Sequence, residues 1–415
     1  MQCRGKKLPQ KRLFFHILIT IHCLILTYDS VAANCRAVCK VPVADVFFEK
    51  LSDLFDCHLS LEQLYSSSSL CGDSYVSCPR GAQILFNESC EVVAVEGEEV
   101  CIALPHILYN TVDRSYLFNT FWTHKNNVHF VDESGTYKES IPYPLSASQP
   151  LPRRNSSELV LVLPWREIMM DMSFSIGTRF VRYTPLDNEW GYGIRLYDFV
   201  HEKEKFVRIP HTYARILAPA TYDSEEALRS DFVSMLRSWC LLAGTVPYVW
   251  GGCSLTGTLT HDNYSYHEGQ WHHTEVQSGC TGFDCSLMIM RAAQICGIPY
   301  FFKNSHTLSQ YLRPLDEEEK VQPGDILWYE GHVLIIADVE NNTVIETCGQ
   351  PYGFGKMHEI ALSKRFKGIQ SYDDLLRAYK QGGPLYSMHR DGFVKRRVNS
   401  FKIFSLLSIW EQGCI

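Results

Sequence analysis

Between Cys101 and Cys240 the chain has no cysteine at all, although it carries 16 in 415 residues. That gap excludes a disulfide framework spread evenly along the whole length and points to stapling in the first segment. There Cys35, Cys39, Cys57, Cys71, Cys78, Cys90 and Cys101 crowd together. Close paired spacings of the metal-knuckle kind are missing from this crowd, so disulfides in an exported small domain are expected rather than a metal cluster. An excess of positive charge is also missing: the formal net charge is −7, which excludes nucleic acid as the main partner. The longest early apolar run, Leu13 to Leu26, falls short of the roughly 20 residues a membrane span needs and is interrupted by His16, Thr20 and His22. With 46% hydrophobic and 20% charged residues the composition is that of a folded chain, not a disordered one.

What is present begins with a basic start, Lys6, Lys7, Lys11 and Arg12, ahead of that apolar run and of Val31-Ala32-Ala33. This is the layout of a secretory signal peptide over residues 1–33, so the expected location is exported, periplasmic or secreted, with no stable membrane span after cleavage. Asn34 before Cys35 excludes a lipoprotein anchor. The remaining length exceeds one ordinary core and calls for several domains. Residues 34–141 read as a cysteine-rich β domain, with strands at Ala82 to Phe86, Cys90 to Val95, Val100 to Leu104 and Val128 to Val131. Residues 142–157, with Pro142, Pro144, Pro150 and Pro152 among serines, read as a linker. Residues 158–216 read as a second β domain, with strands at Leu159 to Leu163, Thr178 to Tyr183, Tyr192 to Tyr197 and Lys205 to Ile209, ended by Pro210. Neither β block contains a catalytic constellation. Trp165, Trp190, Tyr192 and Tyr197 read there as packing residues.

From residue 217 to 415 the pattern becomes α+β. Asp223 and Glu226 form a capping box, and Leu228, Phe232, Met235, Leu236, Trp239 and Leu242 follow at helical spacing. Farther on, Thr281-Gly282-Phe283-Asp284-Cys285-Ser286 runs into the apolar stretch Leu287 to Ile295. A cysteine at the first turn of a buried helix meets unpaired N–H groups and the positive end of the helix dipole, and both favour a thiolate. A structural or disulfide-bonded cysteine is the alternative at this point. A thiolate needs a base held by a third group. His332 opens an apolar strand after Gly331, a glycine read as permitting close backbone approach, and Glu346 lies on the following strand. The segment between Cys253 and Cys280 holds His261, His267, His272 and His273 with Asp262, Glu268 and Glu275, but no ligand pair has helical or knuckle spacing, so no metal is expected. A flap stapled by Cys253 and Cys280 is expected instead, the staple contributing about 3 to 4 kcal/mol. The tail, Val398 to Phe404, reads as a closing strand.

Taken in order, Tyr248-Val249-Trp250-Gly251-Gly252, Phe283-Asp284-Cys285-Ser286, Gly324-Asp325 and Gly331-His332-Val333 resemble the NlpC/P60 cysteine peptidases. The two β blocks resemble the paired bacterial SH3-like domains of the γ-D-glutamyl-L-diamino-acid endopeptidases of that family. The resemblance implies a papain-like catalytic domain preceded by two small all-β SH3-like barrels. It implies hydrolysis of the γ-D-glutamyl to meso-diaminopimelate bond of peptidoglycan stem peptides or muropeptides, without a cofactor. By position Cys285 is the nucleophile, His332 the base, Glu346 the third member, and Tyr248 the hydroxyl beside the nucleophile. Asp284 stands where the family reads the N-terminal amine of L-Ala, and Ser286, Trp250 and Thr307 fall in the expected substrate-binding segments. Three departures accompany this. Glu346 replaces the usual His, Asn or Gln; Leu287 replaces a glycine; and Lys303 to Gln310 keeps only Thr307 and Gln310 of the usual pattern. The alternatives are a related Cys–His peptidoglycan amidase, for which a Cys–His–Glu set is normal, and a catalytically degenerate wall-binding protein.

Overall fold

The computed structural model describes residues 35–54, 79–110, 119–131, 135–145, 157–217, 224–242, 244–257, 264–267, 270–273, 281–298, 300–301, 304–316, 318–349 and 353–411. The signal-peptide reading, Cys57, Cys71, Cys78 and Cys280, and most of the proline-rich linker lie outside these residues. Asp223, His261 and Asp262 lie outside them as well.

The first unit is a seven-stranded sheet built from β1 (Arg36–Cys39), β2 (Val43–Phe47), β3 (Arg80–Leu85), β4 (Ser89–Glu96), β5 (Glu99–Ala103), β6 (Thr120–His124) and β7 (Val128–Phe130), in the order β3-β2-β6-β5-β4-β1-β7. Alternation is visible in β4, where Cys90 and Val92 are buried while Glu91 and Val93 face out. The cysteines expected to be stapled here are thiols instead: Cys35, Cys39, Cys90 and Cys101 are all free. Cys39 and Cys90 are buried, and their sulfurs donate to the carbonyls of Val41 at 3.3 Å and Ala37 at 3.5 Å. They therefore pack as small hydrophobes with their polar atom satisfied.

The second unit contains β8 (Glu158–Leu161), the short pair β9 (Trp165–Glu167) and β10 (Met172–Phe174), then β11 (Arg179–Arg182), β12 (Gly191–Asp198), β13 (Lys203–Pro210) and β14 (Ala214–Ile216). Five of these form a sheet in the order β13-β12-β11-β8-β14. Its core is aromatic: Trp165, Phe174 and Phe180 pack with Phe86, which is contributed by the first unit.

The third unit opens with α1 (Glu225–Cys240). Its N-cap is Ser224, whose hydroxyl accepts from Ala227 N–H at 3.1 Å, so the capping position falls one residue after the expected Asp223. Next come β15 (Cys253–Ser254), a hairpin of β16 (Tyr264–His267) and β17 (Gln270–His273), β18 (Gly282–Phe283), α2 (Cys285–Ile295) and α3 (Ser305–Tyr311). A five-stranded antiparallel sheet follows, made of β19 (Ile326–Tyr329), β20 (His332–Asp338), β21 (Thr343–Thr347), β22 (Met357–Ala361) and, after α4 (Leu362–Arg365), α5 (Tyr372–Lys380), β23 (Leu385–Met388) and β24 (Val394–Val398), the last strand β25 (Phe401–Phe404). Its order is β22-β21-β20-β19-β25. Both faces are covered. Val333, Ile335 and Ile345 join α1 and α2 in one core, while Leu334, Ile336 and Val344 pack with residues of α4 and α5 in another. That explains why β20 reads as a continuous apolar run rather than an alternating one. The expected closing strand divides in two, because β24 pairs with β23 and β25 pairs with β19.

No helix among the described residues is long and apolar enough to cross a membrane. The first and third units share one core, in which Ala37, Val46 and Ile102 belong to the same buried cluster as Leu287, Ile289 and Val333. A buried ion pair crosses that core: Arg291 of α2 donates to Glu88, in the turn before β4, at 2.8 Å. Gly177 of the second unit, at φ +85°, lies against the same arginine, and a Cβ there would come within 2.3 Å of Arg291 Cδ.

Candidate active site

Cys285 is the first residue of α2, and Asp284 caps the helix by accepting from Ser286 N–H at 2.9 Å and Leu287 N–H at 2.7 Å. The same oxygen accepts from the Ser286 hydroxyl at 2.9 Å. The entry to the helix is fixed from behind. Asp284 N–H donates to Gly252 O at 2.9 Å, Phe283 stacks on Trp239 of α1 at 5.0 Å, and a Cβ on Gly252 would lie 2.5 Å from Gly282 O. Two glycines are thus required where these backbones cross.

Backbone N–H groups of Val333, of Ser286 and of Cys285 itself act on the thiol to lower its pKa. The first of these comes from the residue after His332, so α2 and the start of β20 meet at the sulfur. Burial nevertheless pushes the thiol well above its ordinary range, and the adjacent Asp284 carboxylate adds to the rise. The expectation that the helix terminus favours a thiolate is therefore outweighed here by desolvation. In this state the group is a neutral thiol.

His332 is 8% exposed, and its Nε2 lies 2.7 Å from Oε2 of the fully buried Glu346. Burial holds the imidazole below its ordinary pKa, with Glu346 opposing that shift. Neutral imidazole with Nε2 committed to a carboxylate leaves Nδ1 to accept a proton. Gly331 has φ +83° and open space around its Cβ position, so it serves the turn into β20 and not a close backbone approach.

Three further residues were not singled out from the sequence. Arg365, at the end of α4 and 2% exposed, places Nε 2.7 Å from Glu346 Oε1. Its guanidinium also donates to Tyr329 Oη at 2.8 Å and Met388 O at 3.3 Å. His358 stands opposite Glu346 across the β21–β22 pair, with Nε2 3.4 Å from Oε1. Burial alone would raise the Glu346 carboxyl, but Arg365 and the two imidazoles hold it well below its ordinary range. Cys348 completes a buried set in which the ligand atoms of His332, Glu346 and Cys348 lie within 4.8 Å of one another. Such a set has the donor types of a zinc site, but the Arg365 cation already neutralises its carboxylate.

The other expected site residues are placed as follows. Tyr248 is 7% exposed and bridges to Phe283, with its N–H donating to Gly355 O at 3.0 Å. Trp250 is half-buried, and its carbonyl accepts from Arg80 at 3.1 Å. The Ser286 hydroxyl accepts from Asn304 N–H at 3.1 Å. Thr307 is fully buried, and its Oγ1 accepts from Asn110 N–H at 2.8 Å, a contact that ties α3 to the first β unit. Cys253, expected in a disulfide, is a buried free thiol donating to Gln83 O at 2.9 Å.

No family model matches the chain, and no curated protein matches it. Among solved structures it is similar to an NlpC/P60 family protein from Bacillus cereus ATCC 10987, with 13% identity over 82% of this chain and 96% of that one, at a TM-score of 0.49. It is also similar to NlpC2 from Trichomonas vaginalis, with 9% identity over 80% and 95% of the two chains and a TM-score of 0.30. NlpC1 from the same organism gives 9% identity over 82% and 93%, also at 0.30.

Proposed function

We propose that the chain is an exported cysteine endopeptidase that cleaves the γ-D-glutamyl to diamino-acid bond of peptidoglycan stem peptides, with the two β units as SH3-like modules. The observation that supports this reading is that the Val333 N–H, next to His332, acts on the Cys285 thiol while the His332 imidazole is fixed through Nε2 by Glu346. Because thiol and imidazole are both neutral at rest, the proton moves as the sulfur attacks. Cys285 Sγ bonds to the γ-carbonyl carbon while His332 Nδ1 takes the thiol proton. Glu346 stabilises the imidazolium formed. The imidazolium then protonates the departing amine of the diamino acid as the C–N bond breaks, and water attacks the thioester to release the acid and the thiol. Tyr248, whose backbone bridges to Phe283, is the hydroxyl assigned to support the developing oxyanion. Asp284 is the group to pair with the substrate's N-terminal amine in addition to its capping role.

A related Cys–His amidase is the second reading, favoured by the carboxylate third member. Mass spectrometry of L-Ala-γ-D-Glu-diaminopimelate incubated with the wild type and with Cys285→Ala tests the proposal. Cleavage by the wild type alone at the D-Glu to diaminopimelate bond supports it, and equal cleavage, or none by either, sinks it. Release of the intact stem peptide from a muramyl-peptide substrate, with the tripeptide itself left uncut, would favour the amidase. Acetylation of the substrate's N-terminus should cripple turnover if Asp284 reads the amine.

A further inference from the structure

On the far side of Glu346 from His332, the edge strand β22, the helix α4 and the turn between β23 and β24 line an open cavity of about 680 Å³. Its lining is mainly basic, with Glu359 the one acid among the lining residues. Lys356 and His358 come from the β22 side, Lys364 from α4, and His389 and Arg390 from the turn after β23. Among the described residues neither Lys356 nor Lys364 has a carboxylate within salt-bridge distance, and both side chains are exposed toward solvent. The acids nearby are spoken for. Glu359 takes both Nε and Nη2 of Arg237 at 2.7 Å and the Thr343 hydroxyl at 2.6 Å. Asp391 faces His389 at 3.0 Å and Arg390 at 3.8 Å. Aromatic contacts shape the walls, with Phe354 against His358 at 4.3 Å and His389 stacked on Phe393 at 4.8 Å.

We infer that this cavity binds a small polyanion, a ligand bearing two or more phosphoryl or carboxylate charges. Two lysines on separate elements, with His358 beside Lys356 and with His389 and Arg390 on the turn after β23, present positive charge from three elements rather than along one surface stripe, which is what distinguishes a cavity that holds a ligand from a solvated charged face. A ligand of a few hundred cubic ångströms fits the space. His358 joins this cavity to the row that ends at His332, because the same ring lines the cavity and approaches Glu346.

Isothermal titration of the full-length protein with inorganic pyrophosphate, and in a second arm with citrate, tests the inference. Saturable binding of either at one per chain is expected, with pyrophosphate favouring a phosphoryl ligand and citrate a polycarboxylate. The double variant Lys356→Glu/Lys364→Glu should weaken that binding at least tenfold. Lys203→Glu on β13, an exposed lysine in the second unit, should leave it unchanged. No saturable binding in either arm, or equal weakening by Lys203→Glu, overturns the inference. These readings do not depend on peptidase activity, so they stand or fall apart from it.

Discussion

His332 Nε2 and Glu346 Oε2 are 2.7 Å apart, with no measurable solvent exposure at the carboxylate. Glu346 is the influence that lifts the His332 pKa against the burial that lowers it. In Glu346→Gln that support disappears and Arg365 is left facing the imidazole uncompensated, so the histidine pKa drops further. The acid limb of the kcat/KM profile should therefore move to lower pH, while the plateau falls by roughly 10² to 10⁴ because the imidazolium loses its partner. A pH–rate profile with an unshifted acid limb would contradict this assignment.

Arg365 is the cation that makes a fully buried glutamate tolerable. Arg365→Met leaves the Glu346 charge in the interior and should cost about 3 to 5 kcal/mol, read from urea unfolding. Arg365→Lys keeps the charge but loses the planar fork that reaches Tyr329 and Met388, so a part of the stability should return. Equal stability of the wild type and Arg365→Met would remove the pairing from consideration.

The Cys285 thiol is held above its ordinary range by burial and by Asp284. Iodoacetamide labelling of this residue should show a midpoint above the ~8.5 of an ordinary thiol. Asp284→Asn removes the charge while keeping an oxygen for the cap, and should bring the midpoint down. A midpoint that stays in place would mean that burial alone sets it.

Arg291 and Glu88 form a second buried pair, at 2% and 6% side-chain exposure. Arg291→Met or Glu88→Gln alone should cost about 3 to 5 kcal/mol, and the double variant less than their sum, because a lone buried charge is worse than none. Burial tends to raise the Glu88 carboxyl, but Arg291 and His106 prevail and hold it below its ordinary value. A carboxyl depressed on folding stabilises above its unfolded pKa. The stability difference between wild type and Glu88→Gln should therefore persist at neutral pH and shrink as pH falls below ~4. A difference that is constant from pH 7 to 3 would argue against the pair.

The parts legible in the sequence were those governed by local pattern. Phe206 to Ile209 alternates and stops at Pro210, and His332 opens its strand after a turn glycine. Arg365 was not legible, because a buried guanidinium is intelligible only once a carboxylate from another strand is known to face it, and nothing in the residues around it marks that encounter. The Cys285 thiol was misjudged for a related reason: a helix terminus is visible in sequence, but the depth at which it is buried is not. Val398 to Phe404 alternates well enough to read as one strand, yet Asn399 and Ser400 break it so that each half serves a different sheet.

Glu88 and Arg291 are 203 residues apart in the chain. During synthesis the glutamate emerges long before its arginine, so an N-terminal fragment folded early would hold a buried carboxylate with His106 and the Leu85 N–H beside it but no arginine. The first β unit is therefore completed only when α2 arrives, and the helix that carries Cys285 is in turn braced by a strand turn made at the start. Assembly runs backward across the chain, with the last-made unit closing the first.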